Sequence, residues 1–340
     1  MESNSEYFSL SDNVVSKLQS LPGPIFVLGA GGFIGVNLLN ALLLYRNDVY
    51  GVSQDHKNNW RFIATKTPQT NLLSCDITDS AITARLLEKY KPRTIFNLAA
   101  YGAYSKQKEY EKIYSVNFNA TVNLIEMLNE IGFDAYVHAG SSSEYGANST
   151  TPNEAGELVP NSHYSVSKVA SYYAIKYYGR TCGLPVTHLR FYSVYGPWEE
   201  PDRLIPVIIS KARNKTFPPL VSPRISRDFI YITDVINAMI LAASNITSIK
   251  GKAFNIGSGK NTTIKSLAEY IQKEFSIPEN PEYSTMENRN WDVENWYANI
   301  KKAKDLLNWT PKVSLNEGLK LVKEWQDDVN FDNAYWNWNK

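Results

Sequence analysis

The stretch Ile25-Phe26-Val27-Leu28-Gly29-Ala30-Gly31-Gly32-Phe33-Ile34-Gly35 constrains the fold of this chain most. Four apolar residues run into a glycine-rich turn, and an apolar stretch from Leu38 to Leu44 follows. That order predicts a buried parallel strand, a tight turn and a helix. Gly29, Gly32 and Gly35 stand three apart. The first permits the turn, the second lets backbone approach a pyrophosphate, and the third lets helix pack close on strand. The N–H groups at the head of the helix then face the phosphates. The expectation is dinucleotide binding; the plainer alternative is a strand–helix turn whose glycines serve packing only.

The rest of the chain repeats the alternation. Val49 to Val52, Asn71 to Asp76, Thr94 to Ala100 and Ala135 to Ala139 read as strands. Helical stretches lie between them, including a long one from Tyr110 to Ile131. Strands alternating with helices predict an α/β fold: a doubly wound parallel sheet with right-handed crossovers. Residues 1–20, a helical or loose extension, precede the first strand. After Arg190 the pattern loosens into strands at 191–197, 227–232 and 253–257, with helices near 204–216, 234–243, 264–275, 300–308 and 314–327. A smaller mixed domain is expected there, its chain crossing back into the sheet.

Composition narrows the partners. Among 340 residues, 35 Lys and Arg nearly balance 34 Asp and Glu, so no nucleic-acid partner is indicated. No apolar run approaches the roughly 18 residues of a membrane span, and the polar N-terminus is unlike a signal peptide. Cys75 and Cys182 lie far apart, which fits a reducing cytoplasm. No His, Cys and carboxylate grouping has metal-ligand spacing. His138, inside a strand, reads as a core histidine; His163 lines the cleft or stands on the surface.

The second strand ends in Ser53, Gln54 and Asp55, where an acid would grip the adenosine ribose. Without it a 2′-phosphate has room, with Lys57 and Arg61 nearby, so NAD and NADP both stay open. Asp76 after the third strand either caps its turn or touches adenine. The fifth strand runs into Gly140-Ser141-Ser142-Ser143-Glu144-Tyr145-Gly146 at the sheet edge where ligands bind. Tyr164 and Lys168, four apart, share one face of a helix. A phenol near pKa 10 needs help to work at neutral pH, and the lysine charge favours tyrosinate. Ser141 can hold the same substrate oxygen. The set suits taking a proton from a secondary alcohol while hydride leaves its carbon.

With these residues the chain resembles an extended short-chain dehydrogenase/reductase of the NAD-dependent epimerase/dehydratase branch that modifies nucleotide sugars. The resemblance spans roughly 24–325 and includes Asn97-Leu98-Ala99-Ala100, Asn117, Arg190 to Pro197, Arg227-Asp228-Phe229 and Trp309-Thr310-Pro311. It implies a Rossmann domain over 21–190 plus 228–257 and a nucleotide-sugar domain over 191–227 plus 258–340, usually in a homodimer. By position, Ser141, Tyr164 and Lys168 match the catalytic set. Cofactor contacts fall on Gly29, Gly32, Phe33, Ile34, Gly35, Ser53, Asp76, Ile77, Leu98, Ala99, Ala100 and Asn117, with Tyr164 and Lys168. Substrate contacts fall on Ser142, Ser143, Ser193, Arg227 and Arg289, the arginines on the diphosphate. Ser193 stands where many members carry Asn.

Dehydratases of this family carry an acid pair just after the catalytic Ser or Thr. Counting without gaps from Tyr145-Gly146, those positions are Ser142 and Ser143. Glu144 comes one residue late, and strand neighbours face opposite sides, which argues against 4,6-dehydration unless a bulge realigns it. The expected reaction is C4 epimerisation of a nucleotide-diphosphate sugar. NADPH-dependent 4-ketoreduction and 4,6-dehydration are the alternatives. A non-catalytic dinucleotide-binding protein, or a reductase of a non-nucleotide substrate, stands outside the class.

Overall fold

The computed structural model describes residues 5–8, 10–104, 106–286 and 293–329. The elements run α1 (Asp12–Gln19), β1 (Ile25–Leu28), α2 (Phe33–Leu43), β2 (Val49–Ser53), α3 (Trp60–Thr65), β3 (Leu72–Ser74), α4 (Ser80–Tyr90) and β4 (Thr94–Asn97). They continue with α5 (Tyr110–Tyr114), α6 (Ala120–Ile131), β5 (Ala135–Ser141), α7 (His163–Arg180) and β6 (Val186–Phe191). Then follow β7 (Ser193–Tyr195), α8 (Leu204–Arg213), β8 (Ser226–Arg227), β9 (Phe229–Tyr231), α9 (Ile232–Ser244), α10 (Ile246–Ile249) and β10 (Ala253–Ile256). The chain ends in β11 (Thr262–Thr263), α11 (Ile264–Phe275), α12 (Lys301–Leu307) and α13 (Leu315–Asp328).

Seven strands form one sheet in the order β10-β6-β5-β4-β1-β2-β3. Every neighbouring pair is parallel. Strands covered on both faces read as unbroken apolar runs, and β1 is buried at all four positions. The order reverses between β1 and β4. The loops after those two strands therefore leave in opposite directions and open a crevice at the carboxyl edge. The doubly wound sheet expected from the alternation is the one observed.

Local signals set the helix starts. Asp79 accepts the Ile82 N–H at 2.9 Å to cap α4. Ser162 and Ser165 cap each other's backbone at the start of α7. The extension before β1 holds α1, whose Val14 and Leu18 are buried and which packs on α9.

Three elements depart from the expected pattern. The long helix of 110–131 is interrupted by a π-turn at Ser115–Asn119, which turns Asn117 inward. The helix α3 was not anticipated; only six residues long, it shows too little periodicity to be read. The strand expected over 227–232 is split at Asp228. Its carboxylate accepts Ser258 N and Oγ at 2.6 Å each, and Gly259 N and Ala298 N at 2.9 Å each. A buried carboxylate with four donors joins three separated segments, so β8 leaves to pair with β11 while β9 pairs with β7.

Truncating that carboxylate strands four donors, three of them main-chain, at a cost of about 1–3 kcal/mol for each group left buried and unpaired. Asp228→Ala is expected to lower stability by about 3 kcal/mol or more in urea unfolding. A loss below about 1 kcal/mol would show that the junction does not depend on this residue.

Candidate active site

The crevice is built around the turn after β1. Gly29 has φ +76°, and a Cβ there would lie 2.6 Å from the Ala99 nitrogen. A Cβ on Gly35 would lie 2.3 Å from the Gly29 carbonyl. These close approaches draw the head of α2 and the end of β4 together. Gly32 precedes α2 in extended geometry, and no side chain caps the N–H groups that follow. A pyrophosphate fits such a helix terminus, so the residues present suit a dinucleotide. Phe33 and Ile34 supply the first turn while their side chains pack on the core. Leu98 and Ala99 are half-buried and Ala100 is exposed, leaving the end of β4 open to the cleft.

The ribose end departs from expectation. Arg61, buried on α3, donates to the Trp198 carbonyl at 2.8 Å, to the Gly31 carbonyl at 3.3 Å and to Glu200 at 2.8 Å. It braces the glycine turn instead of reaching toward a phosphate. Asp55 accepts from the N–H groups of Lys57 and Asn58 and closes its own turn. Asp76 caps Thr78, accepting its N–H at 2.9 Å and its hydroxyl at 2.7 Å, and receives Gln54 Nε2 at 2.6 Å. The cap, one of its two readings, is present. Ser53 is half-buried, and Ile77 sends its side chain into the core beneath β2 and β3.

Asn117 is fully buried. It accepts the Tyr101 N–H at 2.8 Å and donates to the Tyr101 carbonyl at 2.8 Å and to Ser167 Oγ at 2.9 Å. Both amide donors are used on protein, so Asn117 is a strut between the loop after β4 and α7.

Ser141 closes β5, and Tyr164 and Lys168 stand on α7 beside it. A hydrogen bond joins Ser141 and the Tyr164 phenol. Burial nevertheless pushes the phenol up to about 12, against that hydrogen bond. The expectation that Lys168 would draw it down is not met in this conformation. The ammonium is 5.9 Å from the phenol ring centre and donates to the Ala139 carbonyl at 2.9 Å. Burial brings Lys168 itself down to about 8, although Glu144 acts to raise it.

The residues after Ser141 are not extended, as the reading of Glu144 had assumed, but form a 3₁₀ turn, Ser142–Tyr145. Ser143 Oγ lies 2.7 Å from Ser141 Oγ, and Ser142 Oγ accepts the Trp296 indole N–H at 3.1 Å. Glu144 points into the core, where it meets His188 and Arg190. Those two partners were missed. Their signal was present: His188 and Arg190, two apart in the strand Val186–Phe191, share one face.

Arg227 is half-buried, donates to the Ser226 carbonyl at 2.7 Å and lies 5.6 Å from the Trp296 ring centre. Ser193 opens β7 with its N–H on the Asp228 carbonyl at 2.9 Å. Arg289 and the aromatic tail Tyr335 to Trp338 lie outside the described residues. His138 is fully buried, its pKa held well below the ordinary value by desolvation, while exposed His163 lies 3.1 Å from the Tyr114 hydroxyl. Among the described residues, no cluster of His, Cys, Asp and Glu has the makings of a metal site, and no helix is long and apolar enough to cross a membrane.

Residues 25–257 match the model of the NAD dependent epimerase/dehydratase family. A UDP-glucuronate 4-epimerase of Thermodesulfobacterium geofontis is 30% identical over 325 residues, covering 90% of this chain and 97% of the relative. A putative UDP-glucose 4-epimerase of Methanocaldococcus jannaschii is 28% identical over 315 residues, covering 90% and 99%. The crystal structure of UDP-glucuronic acid 4-epimerase from Bacillus cereus, with UDP-glucuronic acid and NAD, superposes with a TM-score of 0.78. It is 26% identical and covers 90% of this chain and 99% of that one.

Gly29→Ala places a Cβ against the Ala99 backbone at a positive φ. Dinucleotide affinity measured by calorimetry is expected to fall at least about tenfold, the equivalent of roughly 1.4 kcal/mol. Wild-type affinity in a folded variant would remove this turn from the binding site.

With the family model spanning the glycine turn, the Ser141 loop and the Tyr164 helix in one match, the chain belongs to the NAD-dependent epimerase/dehydratase family and is an enzyme that uses a nicotinamide dinucleotide.

Proposed function

We propose that this protein is a UDP-hexose 4-epimerase that works through a 4-keto intermediate with NAD. The carrying observation is the meeting of Ser141, Tyr164 and Lys168 at the end of β5, on the same carboxyl edge of the sheet as the turn of Gly29. Ser141 orients the sugar's C4 hydroxyl against the Tyr164 phenol. Tyr164 takes that proton in one half of the reaction and returns it in the other, general acid–base work by one group. Lys168, a buried cation, favours the ionised phenol when the proton has moved. A bound dinucleotide would supply the acceptor and donor of the C4 hydride and, in its oxidised form, a positive charge that favours the ionised phenol. Gly29, Gly32, Gly35 and the head of α2 would hold its pyrophosphate.

Epimerisation is favoured over dehydration because Ser142 and Ser143 offer hydroxyls where the acid pair would stand, while Glu144 is paired in the core. NAD over NADP is supported by Arg61, which is committed to Gly31, Trp198 and Glu200 and so offers no cation to a 2′-phosphate. The segments 191–227 and 258–340 would seat the nucleotide sugar, with Ser193, Arg227 and Arg289 among its contacts. The free thiols Cys75 and Cys182 suit a cytoplasmic setting.

We infer a homodimer built on α5 and α7. Val166, Tyr173 and Tyr177 recur along one face of α7 and are exposed by 39, 55 and 55%, beside Tyr110 at the head of α5. Tyr173→Glu with Tyr177→Glu is expected to give a monomer in light scattering. A dimer of undiminished mass would move the interface elsewhere.

Incubated with UDP-glucose or UDP-glucuronate, the protein is expected to yield the C4 epimer with no change in mass and no net consumption of cofactor. Loss of one water would identify a dehydratase. Tyr164→Phe is expected to cut kcat by about a thousandfold, the middle of the range for loss of a general acid–base, while cofactor remains bound. A fully active variant would overturn the assignment of Tyr164.

A further inference from the structure

Glu144 is spent on neither the cofactor turn nor the proton transfer, yet it is a wholly buried carboxylate with three partners. Its Oε2 accepts Arg190 Nε at 2.6 Å. Its Oε1 lies 2.8 Å from His188 Nε2 and accepts the Ser141 N–H at 2.8 Å. All three side chains are wholly buried. Arg190 also donates to the Tyr145 hydroxyl at 2.9 Å, and Tyr145 donates to Asn255 Oδ1 at 2.7 Å. The space exists because residue 140 is glycine: a Cβ there would fall 2.1 Å from His188 Nε2 and 2.6 Å from Glu144 Oε1.

A buried ion pair is weak support for a fold, because desolvating two charges offsets their attraction. Its position points to another use. The strand residues that accommodate Glu144 also carry the lysine, since Lys168 Nζ donates to Ala139 while Glu144 Oε1 approaches Gly140 and holds Ser141. We propose that Glu144, clamped by Arg190 and His188, is a positioning residue that fixes the Ser141 main chain and acts as the counter-charge of Lys168. This rests on Ser141, Tyr164 and Lys168 being the working set.

The groups facing Glu144 are His138 from β5, His188 and Arg190 from β6, Tyr145 from its own turn, and Tyr164, Lys168 and Tyr172 from α7; Glu154 reaches the network through the Asn255 N–H. Burial would raise the Glu144 carboxyl, but His188 and Arg190 hold it down to about 2, so it is charged at neutral pH. Burial lowers His188 and Glu144 raises it, whereas Arg190 stays charged at every pH of interest and is the permanent counter-ion. Lys168 is then the group whose charge changes near neutrality. Burial lowers it and Glu144 raises it. Removing the carboxylate must therefore move loss of the ammonium to lower pH.

Three variants test this with two readouts. The first is the pH titration of the Lys168 Cε resonance, assigned by its loss in Lys168→Arg. The second is the pH profile of kcat. Glu144→Gln combined with Arg190→Gln removes both charges and strands neither. Its Lys168 midpoint is expected about one pH unit or more below the wild type, and the basic limb of kcat is expected to follow. Glu144→Asp keeps the charge but is too short to reach Ser141; kcat is expected to fall about tenfold with KM and the basic limb unchanged. An unmoved Lys168 midpoint in the double variant overturns the proposal, as does wild-type kcat in Glu144→Asp. Should the double variant not fold, Glu144→Asp decides alone. The titration needs no turnover, so a wild type inactive on nucleotide sugars would sink the epimerase reading and still leave Glu144 to be judged.

Discussion

The structure depends on β1 entering the sheet at its centre, paired in parallel with β2 on one side and β4 on the other. Each half of the chain must then wind outward from that strand, one through β3 and the other through β5, β6 and β10. The reversal leaves a crevice at the carboxyl edge that no side chain can fill without a glycine giving way. Gly29 and Gly35 sit where backbones would otherwise collide. The Ser141 loop and the Tyr164 helix belong to the second half.

Inside that frame, desolvation outweighs the local charges. Tyr164 is driven up although Ser141 bonds it, and Lys168 is driven down although Glu144 opposes the shift. The free protein thus holds a protonated phenol beside an ammonium whose charge is marginal near neutrality. The two stand about 4 pH units apart (12 against 8), roughly 5 kcal/mol at 1.36 kcal/mol per unit, so a modest charge alone does not move the proton from phenol to lysine.

Much of this was legible in the sequence because it is local. The glycine spacing, the apolar strands and the i, i+4 pair of Tyr164 and Lys168 are each set within one turn or strand. What escaped was set by distant partners. The committed role of Arg61 depends on Trp198 and Glu200, far along the chain. Asn117 turns inward because a π-turn interrupts a helix whose pattern reads as continuous. Glu144 was judged as a strand residue, whereas Ser141 and Glu144 cap one another's backbone and wind the segment into a 3₁₀ turn. Proton affinities were the least legible, since they follow from burial rather than from residue type.

The bond of Tyr145 to Asn255 and that of Trp296 to Ser142 impose a timetable on the growing chain. Ser141 is made before the midpoint of synthesis, yet the turn that carries it acquires its last supports from residues more than a hundred positions later. A ribosome-bound fragment ending before β10 would hold the glycine turn, both α7 side chains and the clamp of His188 and Arg190 on Glu144, with the bonds from Asn255 and Trp296 still to come. The serine turn therefore reaches its full set of contacts only after synthesis has passed Trp296, well after the Tyr164 helix beside it is complete.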